Sequence, residues 1–507
     1  GRLIGLVRDA GTQTDHVDDD RILLSPSFSW KPDDRTSVTL IGLYQRDRTA
    51  STQQFLPVVA TLLGTGGGRI DGSTFLGDPE IDKLHARQFS LTLLAEHRFS
   101  DAVTLRTNIR YLDAKTTFQE VFPNVYGNPE DPFIDADNRI LDRSLYAIKP
   151  RIKTLTSDTH LQLDFATGPF EHTLLAGVDY TDFRQRSQSA FFDSATNPDI
   201  VTPIDIYDPV STGVAEPTYA RDLNQHNSQL GVYVQDQIRY ADRVTLVIGA
   251  RRDRARSKTQ GSAAQVDEAT SFRAGLIGDI GGGISPYISY SEAFLPVAGL
   301  DFNQVAFVPQ RGRQYEAGVK WQPMPGALVT IAAYDIEETN RPINDPDNVL
   351  NTIQTGRIKS RGFEFEAGYS KPRDFTITAA YSYNDVEVRE SSFPAEIGVQ
   401  LNDTPKHLAS IWGSKTIASR GDADLRLGAG VRHVGSSTST GSAFGGTLKT
   451  PSYTLVDALA AIDWTNWSLS VSATNLLDKQ YFAPCRWFGD CFTGNGRSVI
   501  GSLAYKF

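Results

Sequence analysis

Two cysteines and one methionine are all that 507 residues contain of those types, and no apolar run approaches the roughly twenty residues a membrane-crossing helix needs. Helical membrane spans are thereby excluded. No Pro/Ser-rich linker, low-complexity tract or composition shift interrupts the chain. Residues 1–507 therefore read as one architecture, although roughly 150 residues per domain is the usual expectation. The chain opens on Gly1-Arg-Leu-Ile-Gly-Leu6 with no signal peptide, and its sole methionine is the internal Met324. It is expected to be processed or a portion of a longer chain. The net charge of −10 lacks the basic excess that phosphate neutralisation demands, which excludes a general nucleic-acid binder.

Chemical motifs are missing as well. There is no His-Glu-x-x-His, Gly-x-Ser-x-Gly or phosphate-cradling loop, and the eight histidines show no metal-ligand spacing. No catalytic set and no metal site are expected. The acidic group Asp15, Asp18, Asp19 and Asp20 lacks the glycine of a calcium loop and reads as a solvated loop. Gly64-Thr-Gly-Gly-Gly68 is not followed by a helical pattern and reads as a flexible loop. Cys485 and Cys491 stand six residues apart in a segment of glycines and aromatics. They read as an oxidised pair closing a small loop outside the cytoplasm, two buried free thiols being the alternative.

What the chain does have is alternation. Val103, Leu105, Ile109 and Tyr111 alternate with Thr104, Arg106, Asn108 and Arg110, and Trp467, Leu469, Val471 and Ala473 alternate with Ser468, Ser470, Ser472 and Thr474. Phe363, Phe365, Ala367 and Tyr369 repeat the pattern. A period of two puts apolar side chains on one sheet face and polar ones on the other. A soluble sandwich and a membrane barrel share that period, so the connections must separate them. Short turns at 31–36, 100–102, 166–171, 241–243, 281–284, 323–326, 370–374, 416–422 and 465–466 alternate with long loops such as 46–86, 113–157 and 184–226. Short turns on one side and long loops on the other are the signature of an outer-membrane barrel. Trp30, Phe99, Tyr240, Trp321, Tyr369, Trp464 and Trp467 crowd beside the short turns, as an interfacial girdle requires. The fold expected is all-β, a transmembrane antiparallel β-barrel with about twenty strands present. The first runs over residues 1–8 and the last over 498–507, ending on Phe507.

Several segments resemble the TonB-dependent receptors, and most of all their ferrichrome-type, ferric-hydroxamate branch. They are Gly231-Val-Tyr-Val-Gln-Asp-Gln237, Tyr287-Ile-Ser-Tyr-Ser-Glu-Ala-Phe294, Gln314-Tyr-Glu-Ala-Gly-Val-Lys320, Gln354-Thr-Gly-Arg-Ile-Lys-Ser-Arg-Gly362, Thr404-Pro-Lys-His-Leu-Ala-Ser410, Ser452-Tyr-Thr-Leu-Val-Asp-Ala458 and Asn475-Leu-Leu-Asp-Lys-Gln-Tyr481. The hairpin Phe165-Ala-Thr-Gly168 with His172-Thr-Leu-Leu-Ala-Gly-Val-Asp179 and the Cys485/Cys491 pair are similar to that branch in particular. The resemblance runs from end to end. It implies a bacterial outer-membrane receptor, not an enzyme, that binds a ferric siderophore at the cell surface and imports it with energy delivered by TonB. It implies no bound cofactor, since the chelator already coordinates the iron. The family has 22 strands and an N-terminal plug carrying the TonB box, so the plug and two strands are expected to be missing from residues 1–507. The TonB–ExbB–ExbD complex would act through that plug. Outer-membrane lipid, lipopolysaccharide and, through Phe507, the barrel-assembly machinery complete the implied partners.

Carried over residue by residue, the ligand contacts fall on Phe55, Phe122, Tyr126 and Phe192. The chain departs from the pattern at Gln53, where a second pocket aromatic stands in the family, and at Arg486, where an aromatic can follow the first cysteine. A receptor for a nickel chelate, a cobalamin or a sugar, and a passive porin, are the competing expectations.

Overall fold

The computed structural model describes residues 1–506 except 65–67, 211–212, 298, 300, 302–304 and 345–351. The expected closing Phe507 and the centre of the glycine run 64–68 lie outside the described residues. A single 20-stranded antiparallel sheet dominates. Each wall strand pairs with the next in sequence, from Arg2–Arg8 against Asp19–Asp33 to Trp467–Thr474 against Ser498–Tyr505. Nearest-neighbour order is what hairpins joined by short turns produce. The turns are where alternation breaks: Ser100 to Val103, Thr167 to Phe170 and Arg420 to Ala423 each reverse the chain within a few residues.

The register sorts the side chains. Val103, Leu105 and Tyr111 stand opposite Leu163, Leu161 and Leu155, which builds continuous apolar rows across neighbouring strands. These rows are not covered by protein: Leu230, Val232 and Val234 are 45%, 52% and 46% exposed. A band of this size facing water would drive aggregation; facing hydrocarbon it is the stable arrangement. The opposite face is polar and internally paired. Tyr233 donates its hydroxyl to Asp158 at 2.8 Å, and Arg251 bridges Asp179 and Asp253. Gly231 makes that bridge possible, because a Cβ there would fall 2.0 Å from the Arg251 Nη2. Trp30, Phe99, Tyr240, Trp321, Trp464 and Trp467 are exposed and Tyr369 half-buried, all beside the short turns.

The strands are longer than the alternation predicts. Val103–Pro123, Arg143–Thr167 and Phe170–Asp193 have 21, 25 and 24 residues, about twice what a crossing requires. The expected loops 46–86, 113–157 and 184–226 accordingly shrink to residues 50–82, 124–142 and 194–220. Pairing continues beyond the lipid because it satisfies backbone groups and packs rows such as Val121–Leu145–Phe192.

Loops from the two ends of the sheet touch at the long-loop rim. The Gln13 side chain accepts from the Gly496 N–H at 2.7 Å, and Thr493 donates to the Gly72 carbonyl at 3.1 Å. Among the described residues the outer edges of Arg2–Arg8 and Ser498–Tyr505 pair with no other strand.

Candidate ligand-binding site

The loops that meet at this rim are held together by backbone pairing. Leu56–Pro57 adds a short strand to Asp490–Thr493, which pairs in turn with Phe482–Cys485. Cys485 and Cys491 are joined by a disulfide, with Cα atoms 4.0 Å apart, and both are fully buried. The expected oxidised pair is present. It closes the segment that carries Arg486, Trp487, Phe488 and Asp490. Gly489 lets this segment turn: its φ is 110°, and a Cβ would press on the Val125 carbonyl at 3.0 Å.

Inside that loop Arg486 and Asp490 form a two-pronged ion pair, with Nε to Oδ1 at 2.7 Å and Nη2 to Oδ2 as the second prong. Asp490 is wholly buried and also accepts the Tyr126 hydroxyl at 3.2 Å. The Arg486 guanidinium lies 4.6 Å from the Phe488 ring centre and 4.9 Å from that of Phe492, so its faces meet π-clouds and its edge meets a carboxylate. Burial opposes the charge on Arg486, but the hydrogen bonds and field of Asp490 win and hold its pKa above the ordinary value. Burial, then the Asp490 charge, pushes the Tyr126 phenol upward, so Tyr126 stays a donor.

Phe55 completes the aromatic wall. Its ring centre is 5.2 Å from that of Phe122 and 5.5 Å from that of Phe492. Its backbone φ is 47°, in the left-handed region that a bulky residue seldom adopts. A cavity of about 460 Å³ lies beside this wall, bordered by Gln53, Asp403, Pro484, Arg486, Phe492 and Asn495. The structure thus brings together Phe55, Phe122, Tyr126, Gln53 and Arg486.

It keeps Phe192 apart. Val121, Leu145 and Phe192 form one cross-strand row, whereas Phe122, Ser144 and Asp193 form the next. With a period of two, Phe192 faces the opposite side of the sheet from Phe122. There it packs against Ile81, Val121, Leu145 and Val201. Its neighbour Phe191 takes the Phe122 side and is 61% exposed.

Three residues that organise the loops carry no sequence motif. Phe488 and Phe492 belong to the disulfide segment and could have been suspected only from their place around the cysteines. Arg143 is fully buried and gives no periodic signal at all. It donates to the carbonyls of Gly77 at 2.9 Å and Thr202 at 2.7 Å, tying residues 74–82 to residues 194–202. Burial pushes its pKa down to about 10, against the pull of Asp78 and Asp82.

An antiparallel wall with a lipid-compatible outer face, a polar inner face and converging loops over one rim defines an outer-membrane β-barrel that serves as a transport receptor. The chain belongs to the family described as TonB dependent receptor-like, beta-barrel, whose model matches residues 25–476. It crosses the bacterial outer membrane by strands, and the family and its relatives are receptors and transporters rather than enzymes. The chain is 30% identical to the ferrichrome outer membrane transporter/phage receptor of Escherichia coli K12, an alignment covering 100% of this chain and 70% of the relative. It is 31% identical to the ferrioxamine B receptor of Salmonella typhimurium SL1344, covering 100% and 71%. Among solved structures, the closed form of the ferric-catecholate import receptor Fiu of E. coli K12 superposes with a TM-score of 0.86 at 19% identity, covering 100% of this chain and 77% of that one. At that identity the superposition establishes the fold alone.

Proposed function

We propose that this chain is the barrel portion of a receptor that captures a ferric hydroxamate siderophore at the cell surface and passes it inward with TonB-supplied energy. The observation that carries the reading is the convergence of Phe55, Phe122, Phe492, Phe488 and Tyr126 around Arg486 beside an open cavity. Aromatic walls with a few oriented polar groups suit a bulky chelate whose metal is already coordinated. The names of the relatives point the same way, to ferrichrome and ferrioxamine. Import through a plug and the TonB–ExbB–ExbD complex follows from the family reading. So does closure of the wall by two further strands, since two bare edges at membrane depth would leave backbone groups unsatisfied in lipid.

One relative favours a neighbouring reading. A metal-pseudopaline receptor of Pseudomonas aeruginosa is 28% identical over 94% of this chain, so a different metal chelate is the second candidate. The test is equilibrium binding to the full-length receptor, wild type against Phe55→Ala/Phe122→Ala. Burial of each ring contributes up to ~2 kcal/mol, so the double variant should lose about two to three decades of affinity for a ferric trihydroxamate. Binding of a nickel or zinc chelate with no binding of the ferric one moves the receptor to the second reading. Unchanged affinity in the double variant removes both rings from the site.

A further inference from the structure

On the strand Arg221–Tyr240 the lipid-facing file runs Leu230, Val232, Val234 and then meets a carboxyl, Asp236, five residues in from the turn at Tyr240. An ionisable group at that depth is costly in hydrocarbon and is retained where it has a task. No register shift interrupts the ladder to the neighbouring strand Phe170–Asp193, so His172 lies on the same outer face as the exposed Val178. The His172 Nδ1 is 2.8 Å from the Asp236 Oδ2, and its Nε2 is 2.7 Å from the Thr167 hydroxyl. Its ring is stacked on Phe165, with centres 4.7 Å and planes 3° apart. The imidazole is thus held at both nitrogens and on one face. Among the described residues no other group donates to Asp236, whose Oδ1 is buried without a partner.

What the pair does follows from how its two strands are joined. They connect through residues 194–220, at the opposite rim. A tight turn fixes the register of its hairpin, but a connection of that length does not. Alternation excludes a slip by one residue, because that would turn the apolar rows into the lumen. A slip by two residues keeps every apolar side chain outside and every polar one inside, so polarity alone cannot exclude it. In one direction such a slip would run Tyr240 past Phe170, whose ring it meets at 5.3 Å, and into the turn at Gly168. In the other direction it would set Asp236 opposite Ala176, away from His172, and leave the carboxyl in lipid without a donor.

We propose that His172 and Asp236 form a register lock for this seam. The native pairing takes Asp236 into the bilayer with its donor, and the slipped pairing strands it. The lock acts at the short-turn rim, where the long connection has no hold. It is independent of what the receptor carries.

The test refolds the full-length receptor into phosphatidylcholine vesicles and reads the fraction with heat-resistant mobility together with the register. Register is read by oxidative cross-linking of two engineered cysteine pairs. Val234→Cys with Ala176→Cys are opposed in the native ladder, whereas Val234→Cys with Val178→Cys become opposed after the slip. His172→Leu, which strands the carboxyl, should lower the ratio of folded to unfolded receptor at least about tenfold. His172→Leu/Asp236→Leu removes both polar groups and should fold as well as wild type. Its native cross-link should exceed the slipped one by less than about threefold, against at least about tenfold in wild type. Wild-type folding of His172→Leu, or the wild-type excess persisting in the double leucine variant, overturns the proposal. So does failure of the double leucine variant to fold, since nothing is then left stranded in lipid.

Discussion

At the scale of single residues, the loop cluster depends on charges placed where water cannot reach them. Arg143 is the extreme case. Its guanidinium satisfies carbonyls at Leu76, Gly77 and Thr202 that would otherwise be stranded in the loop interior. Arg143→Met fills much of the volume but removes every donor, so the local cost is about 3 kcal/mol. The barrel should survive, since residues 74–82 and 194–202 lie outside its wall. The expected outcome is faster hydrogen exchange and proteolysis confined to those two segments, with unchanged heat-resistant mobility on gels. Exchange spread over the wall strands would contradict the assignment.

A second residue-scale prediction concerns pH. Burial raises the Asp403 carboxyl to about 6, with Arg486 opposing and Asp490 adding to the rise. Burial likewise raises Glu120 to about 7, with the Ser51 hydroxyl opposing. Both folded values lie above the ordinary carboxylate range, so each ionisation destabilises the empty loops as pH climbs from about 4 through the raised value. At pH 7 Asp403 is largely ionised and Glu120 about half so, and both are largely neutral below about pH 5. Proteolysis within the loops that bury these two carboxyls should therefore be slower at pH 5 than at pH 8, and Asp403→Asn should reduce the difference. Equal rates at both pH values in wild type, or an undiminished difference in Asp403→Asn, would contradict the assignment.

At the scale of elements, the disulfide segment is a preformed clip. Closing seven residues removes about 2 kcal/mol of chain entropy from the open state. It also keeps Arg486 and Asp490 facing each other while Leu56–Pro57 pairs with Asp490 and Cys491. Cys485→Ser/Cys491→Ser should leave the wall folded and weaken ferric chelate binding by about tenfold, measured on the full-length receptor beside its heat-resistant mobility. Undiminished binding would show that ladder pairing alone sets the clip.

The elements also show what a sequence can and cannot disclose. Alternation at Val103–Tyr111 and Trp467–Thr474 located crossing strands, because the lipid imposes a period of two on every residue it touches. The short turns were legible for the same reason: the period stops there. Strand ends above the lipid were not. At Arg143-Ser-Leu-Tyr-Ala147 the two faces meet protein on both sides, so polarity no longer alternates, and a paired strand reads as loop. The site divided along the same line. Phe55, Phe122 and Tyr126 followed from family resemblance, but a one-residue difference in register separates Phe191 from Phe192, and only coordinates resolve it. Asp403, Glu120 and Arg143 were invisible, since their surroundings come from burial among segments that are distant in sequence.

At the scale of the whole molecule, two environments are divided by one layer of backbone. Ile331 and Thr330 are adjacent in sequence yet belong to different media. Ile331 is 52% exposed and stands in a row with Val319 and Phe365, whereas Thr330 stands between Lys320 and Glu366. Five residues in from a short turn, the pair sits near the middle of the hydrocarbon layer. An arginine at Ile331 would have to enter lipid at a cost of about 2–4 kcal/mol. An arginine at Thr330 would enter a wet, charged lumen and meet Glu366. In the full-length receptor refolded into lipid vesicles, Ile331→Arg should lower the folded fraction sharply and Thr330→Arg should not. The two variants have the same composition change in charge and differ by one position, so any effect of net charge or expression cancels between them. The reverse order, or equal damage, would mean that the apolar rows face a packed protein core and that the curled sheet is no membrane wall.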